Sequence, residues 1–257
     1  MNKWSKELES AVIAAKMAGQ LILDNFEKDI DIIHKSKKEL VTEIDLKSQA
    51  IIQSMLKKDF PDYDFFAEEG CDDEPICGLT WVVDPLDGTH NYIAGIGNIG
   101  VSIALVSEEG FHLGILFFPV KSKLVHAIEG SGAYCNGKLI HVSKNPDLSK
   151  SMVAYDNQFY LNSDSLTNFE KIISKAFTVR IFGTASWDML LVAMGKIDAR
   201  IWNCTKLVDI AAGCVIVKEA GGCVSDFNFS NITNEPIDVV ASNGLIHADL
   251  VKALSVI

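Results

Sequence analysis

At 257 residues the chain can bury one large core or two closely joined lobes. Apolar residues at 48% and charged residues at 22% are ordinary for a globular protein, and no apolar run approaches the ~20 residues that span a bilayer. The net charge of −11 argues against non-specific nucleic-acid binding, yet an acidic protein can take an anionic substrate if divalent ions reverse the local field.

The first residues, Met1 to Glu7, lead into an amphipathic pattern and not a signal-peptide core, so a cytoplasmic protein is expected. Trp4, Leu8, Ala11, Val12, Ala15, Gly19, Ile22 and Phe26 recur at three- and four-residue spacing and predict a helix over residues 3–27. Asp29 to Ile33 could form a short strand. His34 to Glu39 is a basic loop, either a solvated connection or a flap that brings a lysine towards an anion. A second helix is predicted from Val41 to about Lys58, with Thr42 and Asp45 in a capping-box pattern that needs no catalytic explanation. Phe65-Phe66-Ala67 reads as a short strand running into Glu68 and Glu69, adjacent acids whose repulsion asks for solvent or a cation.

The next strand, Trp81-Val82-Val83, runs straight into Asp84, and Pro85 is expected to stop it because proline has no amide hydrogen for the ladder. Asp87-Gly88 is turn chemistry and Thr89 suits a helix N-cap. Two carboxylates three residues apart would then stand at a strand end beside free amides and a hydroxyl, an arrangement suited to a cation and a phosphate held together. Asp-Pro and Asp-Gly are also common turn pairs, so the segment alone leaves two solvated aspartates as the other reading.

Strands are predicted at 101–106, 112–118 and 124–128, then a hairpin at Tyr134 to Ile140 around Asn136-Gly137, giving a largely antiparallel sheet. Asn145-Pro146-Asp147 marks a lobe boundary, dividing residues 1–145 from 146–257. Beyond it strands (152–155, 179–182, 199–202, 223–227, 238–241) alternate with helices (165–176, 184–195, 208–220, 247–254), which fits a mixed sheet with helices on its faces. Of the six cysteines, Cys214 and Cys223 are expected in the core. No Cys-x-x-Cys pair or His-based metal spacing occurs, and disulfides are not expected.

Four acidic segments fall at element ends: Asp45, Glu68 with Glu69, Asp84 with Asp87, and Asp209. The blocks Val41-Thr42-x-x-Asp45, Glu68-Glu69-Gly70, Trp81 to Thr89, and Asp209 to Gly213 followed by Glu219-Ala220-Gly221-Gly222 resemble, in order and spacing, the inositol monophosphatase family. Gly183-Thr184-Ala185 is a weaker match. These blocks cover nearly the whole chain, and the resemblance implies an α/β fold, an α+β lobe and an α/β lobe packed as a layered αβαβα sandwich, with a homodimer as the assembly. It implies a lithium-sensitive, magnesium-dependent phosphomonoesterase acting on inositol monophosphate or a similar small phosphorylated metabolite. Two or three magnesium ions are implied per site, with manganese as a substitute.

By the same resemblance Glu68, Asp84 and the Leu86 carbonyl would hold one ion, and Asp84, Asp87 and Asp209 a second, with Asp84 bridging. Glu68 and Thr89 would activate a water for direct attack on phosphorus, and Asp45 would orient Thr89. The Gly88 and Thr89 amides would hold the phosphate, with Asp87, Gly183, Thr184, Ala185 and Asp209 also lining the substrate. Lys35 is the best match to a lysine on the family's flap. Val208 stands where the family usually has Trp, and Trp202 stands where inositol-preferring members often have Glu, either as a core residue or as a stacking surface. Related substrates are fructose 1,6-bisphosphate, 3′-phosphoadenosine 5′-phosphate and histidinol phosphate. An aspartyl-phosphate mechanism would need Asp-x-Asp spacing, which Asp84-x-x-Asp87 does not give. A non-catalytic binding protein on the same fold is the remaining alternative.

Overall fold

The computed structural model describes residues 3–34, 39–70, 76–160, 163–232 and 237–255. Helix α1 (Ser5–Asp24) turns Ala11, Ala14, Ala15, Ala18 and Ile22 inward, as its periodicity requires. It packs against α2 (Glu43–Asp59), whose Thr42 cap accepts the Ile44 and Asp45 amides while the Asp45 carboxylate accepts the Thr42 amide. The helix begins two residues later than its predicted start at Val41. Strand β1 (Ile32–His34) pairs antiparallel with β2 (Leu40–Thr42), and that pairing holds Val41 and Thr42 extended. Lys35 lies outside the described residues.

A seven-stranded sheet follows the chain order: β3 (Asp64–Ala67), β4 (Thr80–Asp87), β5 (Gly100–Ser107), β6 (Gly110–Phe118), β7 (Lys123–Ile128), β8 (Ala133–Cys135) and β9 (Lys138–Leu139). Strands β3 and β4 are parallel and the later pairs antiparallel. Trp81, Val83, Ile103 and Ile115 face the core under α1 and α2. Val82, Ala104, Leu116 and Val125 face the opposite core. Burial on both faces explains why these strands read as continuous apolar runs.

Strand β4 does not stop at Asp84. It continues to Asp87 through a register shift against β5, between the pairs Asp84–Ser102 and Asp87–Gly100. Pro85 sits in that irregularity, where its missing amide costs no ladder bond. Its carbonyl accepts the Ser48 hydroxyl of α2 at 2.7 Å. A five-residue helix, α3 (Thr89–Ile93), leaves the strand end.

The five-stranded sheet combines β10 (Met152–Tyr155), β11 (Thr178–Arg180), β12 (Ala199–Thr205), β13 (Cys223–Asp226) and β14 (Ile237–Ser242) in the order β11-β10-β12-β14-β13. β10 runs parallel to β11 and β12, and β14 antiparallel to β12 and β13. Helices α4 (Ser165–Ile173) and α7 (His247–Leu254) cover its outer face. Helices α5 (Ala185–Ala193) and α6 (Leu207–Glu219) lie between the two sheets and contact both. The result is the five-layered αβαβα sandwich that the resemblance implied.

Helix α6 can occupy the middle layer because, beyond Asp209 in its first turn, it is apolar all round from Ile210 to Val217. Its approach to β6 is set by Gly114, where an added Cβ would lie 2.4 Å from the Ala212 carbonyl oxygen. Cys214 is buried there, and burial pushes its thiol up to about 12. Cys223 is only partly buried, contrary to expectation, because β13 is an edge strand paired on one side alone. Among the described residues, no helix is long and apolar enough to cross a membrane.

Candidate active site

The C-terminal ends of β3 and β4 place the first acids. Glu68 follows β3 directly, and its amide donates to the Val83 carbonyl at 3.2 Å. The next residue is clamped by Gln49 of α2, which donates to the Glu69 carbonyl at 2.7 Å and accepts its amide at 3.2 Å. These bonds fix the backbone of two adjacent acids without neutralising either.

Asp84, 2% exposed, accepts the Leu86 amide at 3.0 Å. Asp87 is held by the start of α5. It accepts the Ala185 amide at 3.1 Å, the Ser186 amide at 2.7 Å and the Ser186 hydroxyl. Ala185, expected to line the substrate, gives its amide to Asp87. Thr184 caps α5 through the Trp187 amide. Asp209 lies in the first turn of α6 and accepts the Thr205 hydroxyl at 3.2 Å and the Lys206 amide at 3.3 Å.

These side chains come from strands and helices far apart in sequence, yet Glu68, Asp84, Leu86, Asp87, Gly88, Thr89, Gly183, Thr184, Ala185, Trp202 and Asp209 line one cavity of about 260 Å³. Burial raises the Asp84 pKa well above the usual carboxylate range, and repulsion from Glu68, Asp87 and Asp209 raises it further. Burial also raises Asp87, against the lowering effect of its Ser186 and Ala185 hydrogen bonds. Asp209 is pushed up to about 6 by burial and by the charge of Asp87. On Lys206 burial acts downward, but the charges of Glu68, Asp209, Glu39 and Glu69 outweigh it and raise the pKa.

Thr89 is not the N-cap that its sequence position suggests. Gly88 takes that place in the left-handed region (φ +89°), and Thr89 is the first helical residue. A side chain at 88 would be strained, and its Cβ would lie 2.7 Å from Thr184 Cγ2 and 2.9 Å from the Asn98 carbonyl oxygen. The Thr89 hydroxyl, freed from capping, lies 2.9 Å from Asp45 Oδ1 and 3.2 Å from the Leu86 carbonyl as a donor. Asp45 Oδ2 meanwhile accepts the Thr42 amide at 2.8 Å and the Thr42 hydroxyl. Asp45 thus caps the helix through one oxygen and holds the Thr89 hydroxyl through the other. Burial raises the Asp45 pKa although three hydrogen bonds oppose it.

The donor set fits a hard divalent cation. Carboxylates and the Leu86 carbonyl supply only oxygen, and four buried or cavity-lining acids in one place are costly unless positive charge offsets them. Among the described residues, no three Asp, Glu, His or Cys side chains yet close on a single point, so the acids ring the cavity.

Sequence reasoning missed the opposite wall. Arg200, 2% exposed, directs its Nε to within 2.9 Å of Asp188 Oδ2 and one terminal nitrogen to 3.3 Å from Asp156 Oδ1. Its guanidinium lies 4.5 Å over the Trp202 ring. Trp202 is 2% exposed with one face covered, so it is a core residue that also lines the cavity. Asp188, fully buried, is pushed up to about 7 by burial, with Asp87 and Asp156 adding to the rise against Arg200. One signal was available: an arginine inside the apolar strand 199–202 is a buried charge that must be paired.

A model of the inositol monophosphatase family matches residues 3–257. A fructose-1,6-bisphosphatase/inositol-1-monophosphatase of Thermotoga maritima is 32% identical over 250 residues, covering 96% of this chain and 95% of that protein. Inositol monophosphatase 1 of Homo sapiens is 30% identical over 274 residues, covering 99% and 96%. Among solved structures, the extragenic suppressor protein suhB of Bartonella henselae superposes with a TM-score of 0.90 at 30% identity, covering 98% of this chain and 99% of that one.

Proposed function

Because the chain belongs to the inositol monophosphatase family and is therefore a phosphomonoesterase, we propose that it is a magnesium-dependent enzyme hydrolysing inositol monophosphate or a similar small sugar phosphate. The observation that carries this reading is the gathering of Glu68, Asp84, Asp87 and Asp209 around one cavity with the Thr89–Asp45 hydrogen bond at its edge. Glu68, Asp84 and the Leu86 carbonyl would hold one ion, and Asp84, Asp87 and Asp209 another. Bound there, magnesium supplies positive charge to the phosphate oxygens and the leaving oxygen and lowers the pKa of a water molecule.

The chain's own groups do the rest. Thr89, with its hydroxyl aimed at Asp45 Oδ1, can take a proton from the attacking water as it passes its own to Asp45. Burial raises the basicity of Asp45 for that step. Glu68 is the second acceptor at the cavity edge. Neither the Gly88 amide nor the Thr89 amide finds an acceptor among the described residues, so both can donate to the phosphate. Asp87 is held in place by the Ser186 and Ala185 amides. The lobes 1–145 and 146–257 are read as one working unit, and a homodimer remains the assembly expected from the family.

Fructose 1,6-bisphosphate is the alternative substrate, favoured by the name of the Thermotoga relative. Purified protein assayed with inositol monophosphate, fructose 1,6-bisphosphate, 3′-phosphoadenosine 5′-phosphate and histidinol phosphate separates these readings. We expect phosphate release with magnesium, highest for the inositol ester, and none in excess EDTA. Release that is unaffected by EDTA would reject the metal-dependent reading.

A further inference from the structure

We infer that Asp156 reads the alcohol half of the substrate, accepting hydrogen bonds from its hydroxyl groups and favouring polyol monophosphates over sugar bisphosphates. The inference rests on the phosphomonoesterase reading above and specifies its substrate class.

Asp156 directly follows β10 and lines the same cavity as Asp84 and Thr89. Its Oδ1 is occupied, by the Asn157 amide at 2.9 Å and by Arg200 at 3.3 Å. No described residue bonds its Oδ2, and the side chain keeps 13% exposure. One oxygen is therefore anchored while the other is left to the cavity. A fixed carboxylate oxygen with no partner is an acceptor for a donor that arrives with the substrate.

Arg200 makes this acceptor a selective one. It stands two residues before Trp202 on β12, on the same face, and stacks on the indole. Its Nε faces Asp188 at 2.9 Å, and its NH1 donates to the Ile201 carbonyl at 3.2 Å. A guanidinium committed to Asp188, Asp156, a carbonyl and a ring is a scaffold and not a phosphate receptor. Its single positive charge is shared between Asp156 and Asp188, so with Asp188 at about 7 this wall keeps a partial negative charge at neutral pH that approaches one as Asp188 ionises. Lys206 also lines the cavity, but it pairs with Glu39 at 3.8 Å and sits in the field of Glu68 and Asp209. A second phosphate, carrying about −1.5 to −2 charges, would be repelled by Asp156, whereas hydroxyl groups would donate to it.

The test measures kcat/KM of the full-length enzyme with magnesium on inositol 1-phosphate, fructose 1,6-bisphosphate and phenyl phosphate, which lacks hydroxyls. Wild type is compared with Asp156→Ala and with the near-isosteric Asp156→Asn. We expect Asp156→Ala to lose about 10–100-fold more on the inositol ester than on phenyl phosphate, chiefly through KM. Both variants should raise the bisphosphate-to-monophosphate ratio, because both remove the repelling charge. Equal change on all three esters, or an unchanged bisphosphate ratio, overturns the assignment. A wild-type enzyme inactive on all three overturns the hydrolase reading itself, which is a separate and recognisable result.

Discussion

Asp84→Asn should lower kcat by about 10³-fold or more, equivalent to about 4 kcal/mol of transition-state stabilisation, while making the metal-free protein more stable. The two effects share one cause. Asp84 is buried, its carboxylate accepts a single hydrogen bond among the described residues, and it faces the charges of Glu68, Asp87 and Asp209. Asparagine keeps the oxygen that accepts the Leu86 amide but carries no charge to repel or to bridge two cations. Relief of the repulsion is worth on the order of 1–3 kcal/mol, or about 2–4 °C in Tm for each kcal/mol in a chain of this size. Phosphate release and thermal melts in EDTA at pH 8 measure the two halves. A variant that keeps full activity supports a non-catalytic binding protein, and one that melts lower without metal contradicts the repulsion.

Removing metal should make stability fall as pH rises, the reverse of the usual carboxylate effect. Asp209 and Asp188 titrate in the fold at about 6 and about 7, above the ordinary value of 3.8. Between pH 4 and 7 the folded protein holds protons that the unfolded chain has already released, so the slope of unfolding free energy against pH is negative. The stability is fully present below the ordinary carboxylate pKa and is lost as pH rises through the folded values. The rises correspond to on the order of 3 kcal/mol for Asp209 and about 4 kcal/mol for Asp188. Magnesium should remove the Asp209 part by favouring the ionised form, so the gain in Tm on adding magnesium should grow from pH 5 to pH 8. Asp188, paired with Arg200 and outside the proposed ligand set, should leave a residual slope. Melts in EDTA and in magnesium across that range decide it. A flat EDTA profile, or a magnesium effect of the same size at both ends, rejects this electrostatic picture.

The acidic half of the site was legible because its residues sit in short local patterns. Asp84 and Asp87 share one strand end, Glu68 ends another, Asp45 sits in a capping box and Asp209 in a first helical turn. What periodicity could not show was the path of β4 through Pro85, because the bulge that tolerates a proline depends on how β5 pairs with it. The Thr89 cap failed for a similar reason. A hydroxyl that suits the local amides found a stronger acceptor in Asp45, 44 residues earlier. The wall of Arg200, Asp188 and Asp156 was least legible. Arg200 meets Asp156 across 44 residues, and only the packing of α5 and the end of β10 against β12 brings the three together. For the same reason Trp202 could be read from sequence as core or as stacking surface until the arginine on its face was seen.

That divalent cations draw the distant carboxylates into one pocket is tested most directly by a crystal soaked in manganese and phosphate. Anomalous scattering should show two peaks ~4 Å apart, Asp84 between them, Glu68 beside one and Asp87 with Asp209 beside the other, with phosphate on the Gly88 and Thr89 amides. Manganese bound elsewhere, or a pocket in which Asp209 and Asp84 share no cation, would contradict it.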